Sequence, residues 1–364
     1  MSNNQQTINQ SKPLVVYGLG AAGQRVVEHL ISLGINIAYI IDKNKYGKDY
    51  KNIPIVSLAQ AEQYVNNNNN CLIALNNHYI DLREIYQSLH ACQFKQIFTL
   101  QQIQQIVKDI EITDGYWLDL DFNYDAHTNE IDAFKALLAD SKSLAIANQI
   151  IRFRTLGQIQ DYPAPSLDDE YAPFDIPRYK NSLAIIDCGA YDGIAIEKLI
   201  HAGYEVYRFA AFEPDQQNFA KLINKPFNVS ESICLPLGVW SSNTQLRFSS
   251  HANMGSSLSH HGDSIIQCVR VDDVLHNFAP NLIKFDVEGA EIEAIHGLEK
   301  TIRRYQPNLA ISVYHKPSHL FEIALLINAW NLGYSFYLRV HEHNTFGTVL
   351  YCLQDKHIQK ETTS

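Results

Sequence analysis

The nine residues Ile185–Gly193, IIDCGAYDG, decide how this chain is read. An apolar run entered through Leu183 and Ala184 ends in the acid Asp187, and a turn bracketed by Gly189 and Gly193 leads into a helical pattern. Glycine carries no Cβ, so such a turn lets a nucleoside-sized ligand approach the backbone. The amides at the start of the following helix then face the ligand's electronegative groups. The next apolar run to end in an acid is AAFEPD, with Glu213 at its end. An acid one strand beyond a glycine turn can hold a pair of ribose hydroxyls.

Further along, apolar runs keep alternating with helical patterns. Arg208–Phe212, Ser232–Pro236, Leu282–Asp286, Leu309–Tyr314, Ser335–Arg339 and Val349–Leu353 read as strands, which predicts a mostly parallel, doubly wound sheet. Only HEHNTFG separates the last two, so they are expected to pair as an antiparallel hairpin. Toward the N-terminus, Leu14–Tyr17 reads as a strand followed by GLGAAG, with Gly18, Gly20 and Gly23. The helix after it carries Val26, Val27, Leu30 and Ile31 on one face and is closed by Gly34. Ile37–Ile41 is a second strand, ending at Asp42, and Cys71–Leu75 and Phe98–Leu100 add later ones. Asn66–Asn70 reads as a surface loop. A single helical pattern spans Ile131–Phe153, and DYPAPSLDDEYAPFDIPRY follows; its proline density predicts an extended connector packed against a neighbour. The expected fold class is α/β, with two Rossmann-like doubly wound sheets joined by a partly helical connector. The expected division is a tail at 1–12, a GxGxxG domain at 13–110, the connector at 111–180, a second α/β domain at 181–355 and a tail at 356–364.

Composition narrows the function. A chain of 364 residues holds one or two domains, and 46% hydrophobic with 19% charged residues supplies an ordinary core. A net charge of −10 argues against a general nucleic-acid binder. The six cysteines, at 71, 92, 188, 234, 268 and 352, form no CxxC pair and read as reduced core residues rather than a zinc or redox motif. The start, MSNNQQTINQSK, is polar without an apolar signal region, and no run approaches the ~18 apolar residues of a membrane span. The expectation is a cytoplasmic protein.

Ligands of open α/β sheets sit beyond the carboxyl ends of the strands. There the sequence places Asp187, then Glu213, Pro214 and Asp215, then Gly238–Trp240, then Asp286 with Glu288, Gly289 and Glu291, and finally His315. Asp286 ends an apolar strand, where an unpaired carboxylate is poor core material. Glu288 has Lys284 as an expected ion-pair partner. Glu291 is expected on one face with Glu288, on a helix that starts there. NMGSSLS, around Gly255, reads either as a loop near an acceptor or as a plain connection.

IIDCGAYDG has the DxGxxxG spacing usual in enzymes that use S-adenosylmethionine (SAM). Together with AFEPD and LIKFDVEGAEIEAIHG it resembles the FkbM-type SAM-dependent methyltransferases. VRVDDVL and SVYHKPSHLFEI also fit, and the likeness covers roughly residues 136–353, lead-in segments included. The resemblance implies methyl transfer from SAM to a hydroxyl oxygen of a sugar, glycan precursor or natural-product intermediate. It implies cofactor contacts from Asp187, Gly189, Ala190, Tyr191, Gly193, Glu213, Pro214 and Gly238. A hydroxyl acceptor must lose a proton, which needs a base or a metal, and Asp286, Glu288 and His315 are the candidates. Mg²⁺ on Asp286 and His315 is an option that the signature does not require.

GLGAAG with Asp42 about twenty residues on meets the context of a dinucleotide site. The stretch is also similar to the Rossmann-like N-terminal domains of sugar-modifying acyltransferases. Gly18, Gly20, Gly23 and Asp42 are therefore candidates for a nucleotide or nucleotide-sugar site, for NAD, or for a structural module that kept the fold. Two alternatives to methyl transfer follow: an NAD-dependent nucleotide-sugar oxidoreductase and a non-catalytic nucleotide-binding module. The expected partner is a small-molecule or glycan-type acceptor, with a homo-oligomer left open.

Overall fold

The structure is a computed structural model that describes residues 13–64, 70–103, 116–166, 168–249, 257–258 and 264–359. The tail at 1–12, Asn66–Asn69 of the asparagine run and most of NMGSSLS lie outside the described residues. The chain divides into two compact units that are not contiguous in sequence. The first combines 1–126 with 147–164 and 342–346; the second combines 127–146 with 165–341 and 347–364.

The first unit is built on a six-stranded sheet. Its strands are β1 (Leu14–Tyr17), β2 (Ile37–Ile41), β3 (Asp49–Tyr50), β4 (Ile53–Val56), β5 (Asn70–Ile73) and β6 (Gln96–Phe98). The order is β3-β4-β2-β1-β5-β6, and all neighbours are parallel except β3 with β4. The chain winds outward from β1 to β2 and β4, then returns to the other side of β1 for β5 and β6, the doubly wound arrangement expected. The helix Ala21–Ser32 buries Val26, Val27 and Leu30 of its expected apolar stripe, whereas Ile31, expected on the same face, is exposed. Leu100, expected in a strand, instead opens the 3₁₀ turn Leu100–Gln102.

The second unit contains a seven-stranded sheet: β7 (Ser182–Cys188), β8 (Glu205–Phe212), β9 (Glu231–Leu235), β14 (Leu282–Phe285), β15 (Asn308–Ser312), β16 (Ser335–Val340) and β17 (Thr348–Leu353). Its order is β16-β17-β15-β14-β7-β8-β9. β16 and β17 do form the antiparallel hairpin, and β17 slots between β16 and β15. A second sheet of four short strands, β10 (Gly238–Val239), β11 (Thr244–Ser249), β12 (Ser257–Leu258) and β13 (Ser264–Val269), was not anticipated. The single helix expected over Ile131–Phe153 is two, Thr128–Leu137 and Ser141–Leu156. The break has a local cause: Leu138 turns extended, Ala139 N–H bonds the Phe336 carbonyl, and Asp140 accepts from the Ser143 amide. The proline-rich segment packs as expected, with Tyr171, Ile176 and Tyr179 buried against Leu183, Ile185 and Phe209. No helix among the described residues is long and apolar enough to cross a membrane.

Candidate active site

At the carboxyl end of β7 the chain turns sharply. Gly189 and Ala190 N–H both bond the Phe212 carbonyl of β8, and Gly189, Tyr191 and Gly193 all have positive φ. A Cβ at Gly189 would overlap the carbonyl oxygen of Asp286. This glycine thus lets the β7 turn press against the β14 turn, a role the ligand-approach argument did not foresee. The helix Ile194–His201 follows. Tyr191 is half exposed on the turn, and its amide donates to Glu213 Oε2 at 2.8 Å. Glu213 Oε1 accepts from the Asp215 amide at 2.8 Å. Burial pushes the Glu213 carboxyl up to about 7 despite these two donors. Pro214 leads from it into the helix Gln216–Asn224, which Asp215 caps.

Asp187 is fully buried. Its register partner on β14 is Lys284, whose ammonium lies 3.1 Å from Asp187 Oδ1 and 3.8 Å from Asp286 Oδ2 and donates to the Gly189 carbonyl. Burial alone would depress this lysine, but Asp187 and Asp286 hold it above its ordinary value. Lys284 therefore ties the glycine turn to the second acid, rather than pairing with Glu288 as expected. A buried charge is tolerable only when compensated in this way.

β14 delivers Asp286, a quarter exposed, to the mouth of the site. The hydroxyls of Tyr171 and Tyr314 approach it at 3.3 and 3.4 Å. Glu288 does not begin a helix as expected: it sits in a left-handed turn at φ 54°, and the helix starts at Glu291. His315, on the turn after β15, gathers the acids. Its Nε2 is 3.6 Å from Asp286 Oδ1 and 3.4 Å from Glu288 Oε2, and its Nδ1 is 2.8 Å from Glu291 Oε1. Glu291 is fully buried, also meets His319 Nδ1 at 3.0 Å, and accepts from the Val287 and Gly289 amides. Burial disfavours a charged imidazole, yet Glu291 and Glu288 hold His315 up at about 9. Against its own burial, Glu291 is held well below the usual carboxylate range by His315 and His319. Burial pushes Glu288 up to about 7.

The structure thus joins Asp187, the glycine turn and Asp286 through Lys284, links the turn to Glu213 through Tyr191, and joins Asp286 and Glu288 through His315. Gly238 lies in β10, where a side chain would run into Cys268. Tyr171, Tyr314 and the organising part of Glu291 escaped the sequence reading. Lys284 carried a usable signal, since a lysine inside an apolar strand demands a buried carboxylate. Tyr171 carried none, being 115 positions from its partner.

The donor set does not fit Mg²⁺. The ion prefers oxygen ligands in tight octahedral geometry, whereas here Asp286 faces an ammonium and an imidazole already held cationic. Among the described residues, no group of three or more His, Cys, Asp or Glu could hold a metal ion. The positive-φ glycine turn and the half-exposed ring of Tyr191 leave the backbone open to a nucleoside-sized ligand.

In the first unit, GLGAAG forms the expected strand–turn–helix. Asp42, however, spends its carboxylate on the amides of Leu19, Asn44 and Lys45. Gly23 is required because a Cβ there would strike the Gly18 carbonyl, and Gly18 packs against Leu75, while Gly20 faces open space.

Comparison with known proteins adds to this geometry. Residues 187–336 match the family model described as the Methyltransferase FkbM domain. A crystal structure of Methyltransferase FkbM from Methylobacillus flagellatus KT is similar over 96% of this chain and 92% of its own, with TM-score 0.75 and 20% identity. Aeropyrum pernix fibrillarin aligns over 50% of this chain and 70% of its own at TM-score 0.31 and 9% identity. The precorrin-6y C5,15-methyltransferase of Geobacter metallireducens GS-15 aligns over 53% of this chain and 100% of its own at TM-score 0.32 and 12% identity. No curated protein sequence matches.

Proposed function

Residues 187–336 match the Methyltransferase FkbM domain, and we propose that this chain is a methyltransferase that moves a methyl group from SAM to a hydroxyl oxygen of a sugar or natural-product acceptor. The observation that carries the reading is the Asp286–Glu288–His315 cluster, set beside the glycine turn by Lys284. SAM, when bound, supplies an electrophilic methyl on a sulfonium.

The chain's own residues have three tasks. The turn Gly189–Gly193 and Glu213 seat the nucleoside, for which Glu213 exchanges its backbone donors for ribose hydroxyls. Asp286, steadied by Tyr171 and Tyr314, orients the acceptor hydroxyl; alignment of reacting atoms supplies much of the rate. Glu288, with a pKa of about 7, takes the hydroxyl proton near neutral pH. His315 is not the base: held protonated up to about 9, it has no lone pair to offer and serves as the positive charge between two carboxylates. Glu291 keeps it so.

The test is transfer of labelled methyl from SAM to a panel of monosaccharides, glycosides and polyhydroxylated macrolides. The reading predicts label on an acceptor oxygen, abolished in Asp286→Asn. Label on nitrogen or carbon, or unchanged turnover in Asp286→Asn, would contradict it.

A further inference from the structure

The first unit contains an open cleft of ≈ 480 Å³ whose lining residues come from the carboxyl ends of β1, β2 and β4 and the segments just after them. Three adjacent parallel strands therefore open onto one hollow, the place where sheets of this kind take ligands, and its size is that of small-molecule sites. Ile41 and Leu58 give it an apolar part, and the rings of Tyr17 and Tyr46 stand beside them. Tyr46 is more than half exposed; an exposed aromatic in a cleft offers a face to a flat ring.

The polar groups include one cation and several hydrogen-bond donors. Lys43 brings an ammonium. Ser57 and Gln60 cap the helix Leu58–Tyr64 reciprocally: the Ser57 amide donates to Gln60 Oε1 at 2.9 Å and the Gln60 amide to Ser57 Oγ at 3.2 Å. Each of these oxygens thus has one lone pair engaged, and the hydroxyl proton and the side-chain NH₂ remain as donors. No lining side chain is acidic; Asp42, next door, spends its carboxylate on the amides of Leu19, Asn44 and Lys45. Gly18, Gly20 and Gly23 do not line the cleft.

A hollow with one cation, no acidic side chain, two tyrosines and an apolar part suits an anion that bears a flat ring. We propose that this cleft binds a nucleoside diphosphate, with the base among Tyr17, Tyr46 and Ile41 and the phosphates at Lys43. The site is separate from the methyl-donor site and does not depend on that reading.

The experiment is isothermal titration of the 364-residue chain with ADP and UDP, with adenosine, uridine and inorganic phosphate as controls. At least one diphosphate is expected to bind at sub-millimolar concentration, its nucleoside and phosphate alone about tenfold or more weaker, because the ammonium–phosphate bonds and the ring contacts each supply part of the affinity. Lys43→Glu and Tyr46→Ala, both at exposed positions, are expected to weaken the diphosphate about tenfold and to leave SAM binding unchanged. Glu213→Ala is expected to do the reverse. Failure of both diphosphates to bind at millimolar concentration, binding of phosphate alone as tightly as ADP, or full affinity in Lys43→Glu would overturn the proposal.

Discussion

Glu288 and His315 sit 3.4 Å apart with their ionisation displaced in the same direction for different reasons. Burial lifts Glu288 to about 7, and surrounding carboxylates lift His315 to about 9. On the proposed mechanism proton abstraction needs Glu288 ionised, so turnover should rise as pH climbs through about 7. The same mechanism uses cationic His315 to hold the carboxylates together, so turnover should fall as pH passes about 9. A kcat–pH profile should therefore be a bell with those limbs, as macroscopic values of a coupled pair. Glu288→Gln should cost about 10²–10⁴-fold in kcat, the usual worth of a general base, and abolish the rising limb while SAM affinity stays. A profile flat from pH 6 to 8 in the wild type would remove Glu288 from this role. Asp187, Glu213, Asp286 and His315 were legible because each lies at or just past the end of a strand pattern. Glu288's left-handed turn, the histidine-to-Glu291 contact and Tyr171 were not, because they depend on which distant segments fold beside one another.

The strand–turn–helix elements follow closely from local sequence. β1 with GLGAAG and β7 with the DxGxxxG turn each lie within a residue or a few of the expected limits, since buried parallel strands read as unbroken apolar runs and glycines mark the turns. Strands of two to six residues in the four-stranded sheet gave no such signal. The loss of helix at 138–140 was hidden because Leu138 is apolar in phase and leaves the helix only by meeting Phe336. The Gly189 turn offers a test at this scale. Gly189→Ala forces a Cβ into the Asp286 carbonyl with φ at +79°. It should destabilise the protein by about 2–4 kcal/mol in denaturant titration, the cost of strain plus overpacking, and weaken SAM binding with it. A neutral Gly189→Ala would mean that the β7 and β14 turns are not pressed together as described.

At the scale of the molecule, two α/β units were legible from alternating patterns, and their interleaving was not. Residues 147–164 and 342–346 belong with the first unit although sequence neighbours on both sides belong with the second. No periodicity encodes that, because membership follows contacts between residues far apart in sequence, such as the Asn344 amides that donate to the Tyr162 hydroxyl and the Asn77 carbonyl. The proposed function rests on the second unit alone, and it has Tyr191 and Glu213 seat the nucleoside beside the Asp286 cluster. Isothermal titration with SAM and its demethylated product, on the wild type and on Glu213→Ala, tests this most directly. The account predicts one site per chain that binds both compounds in the wild type and is weakened about tenfold or more in Glu213→Ala, the loss of a charge-assisted bond to ribose. A wild-type protein that binds neither compound, or a Glu213→Ala variant that binds both as tightly, would contradict it.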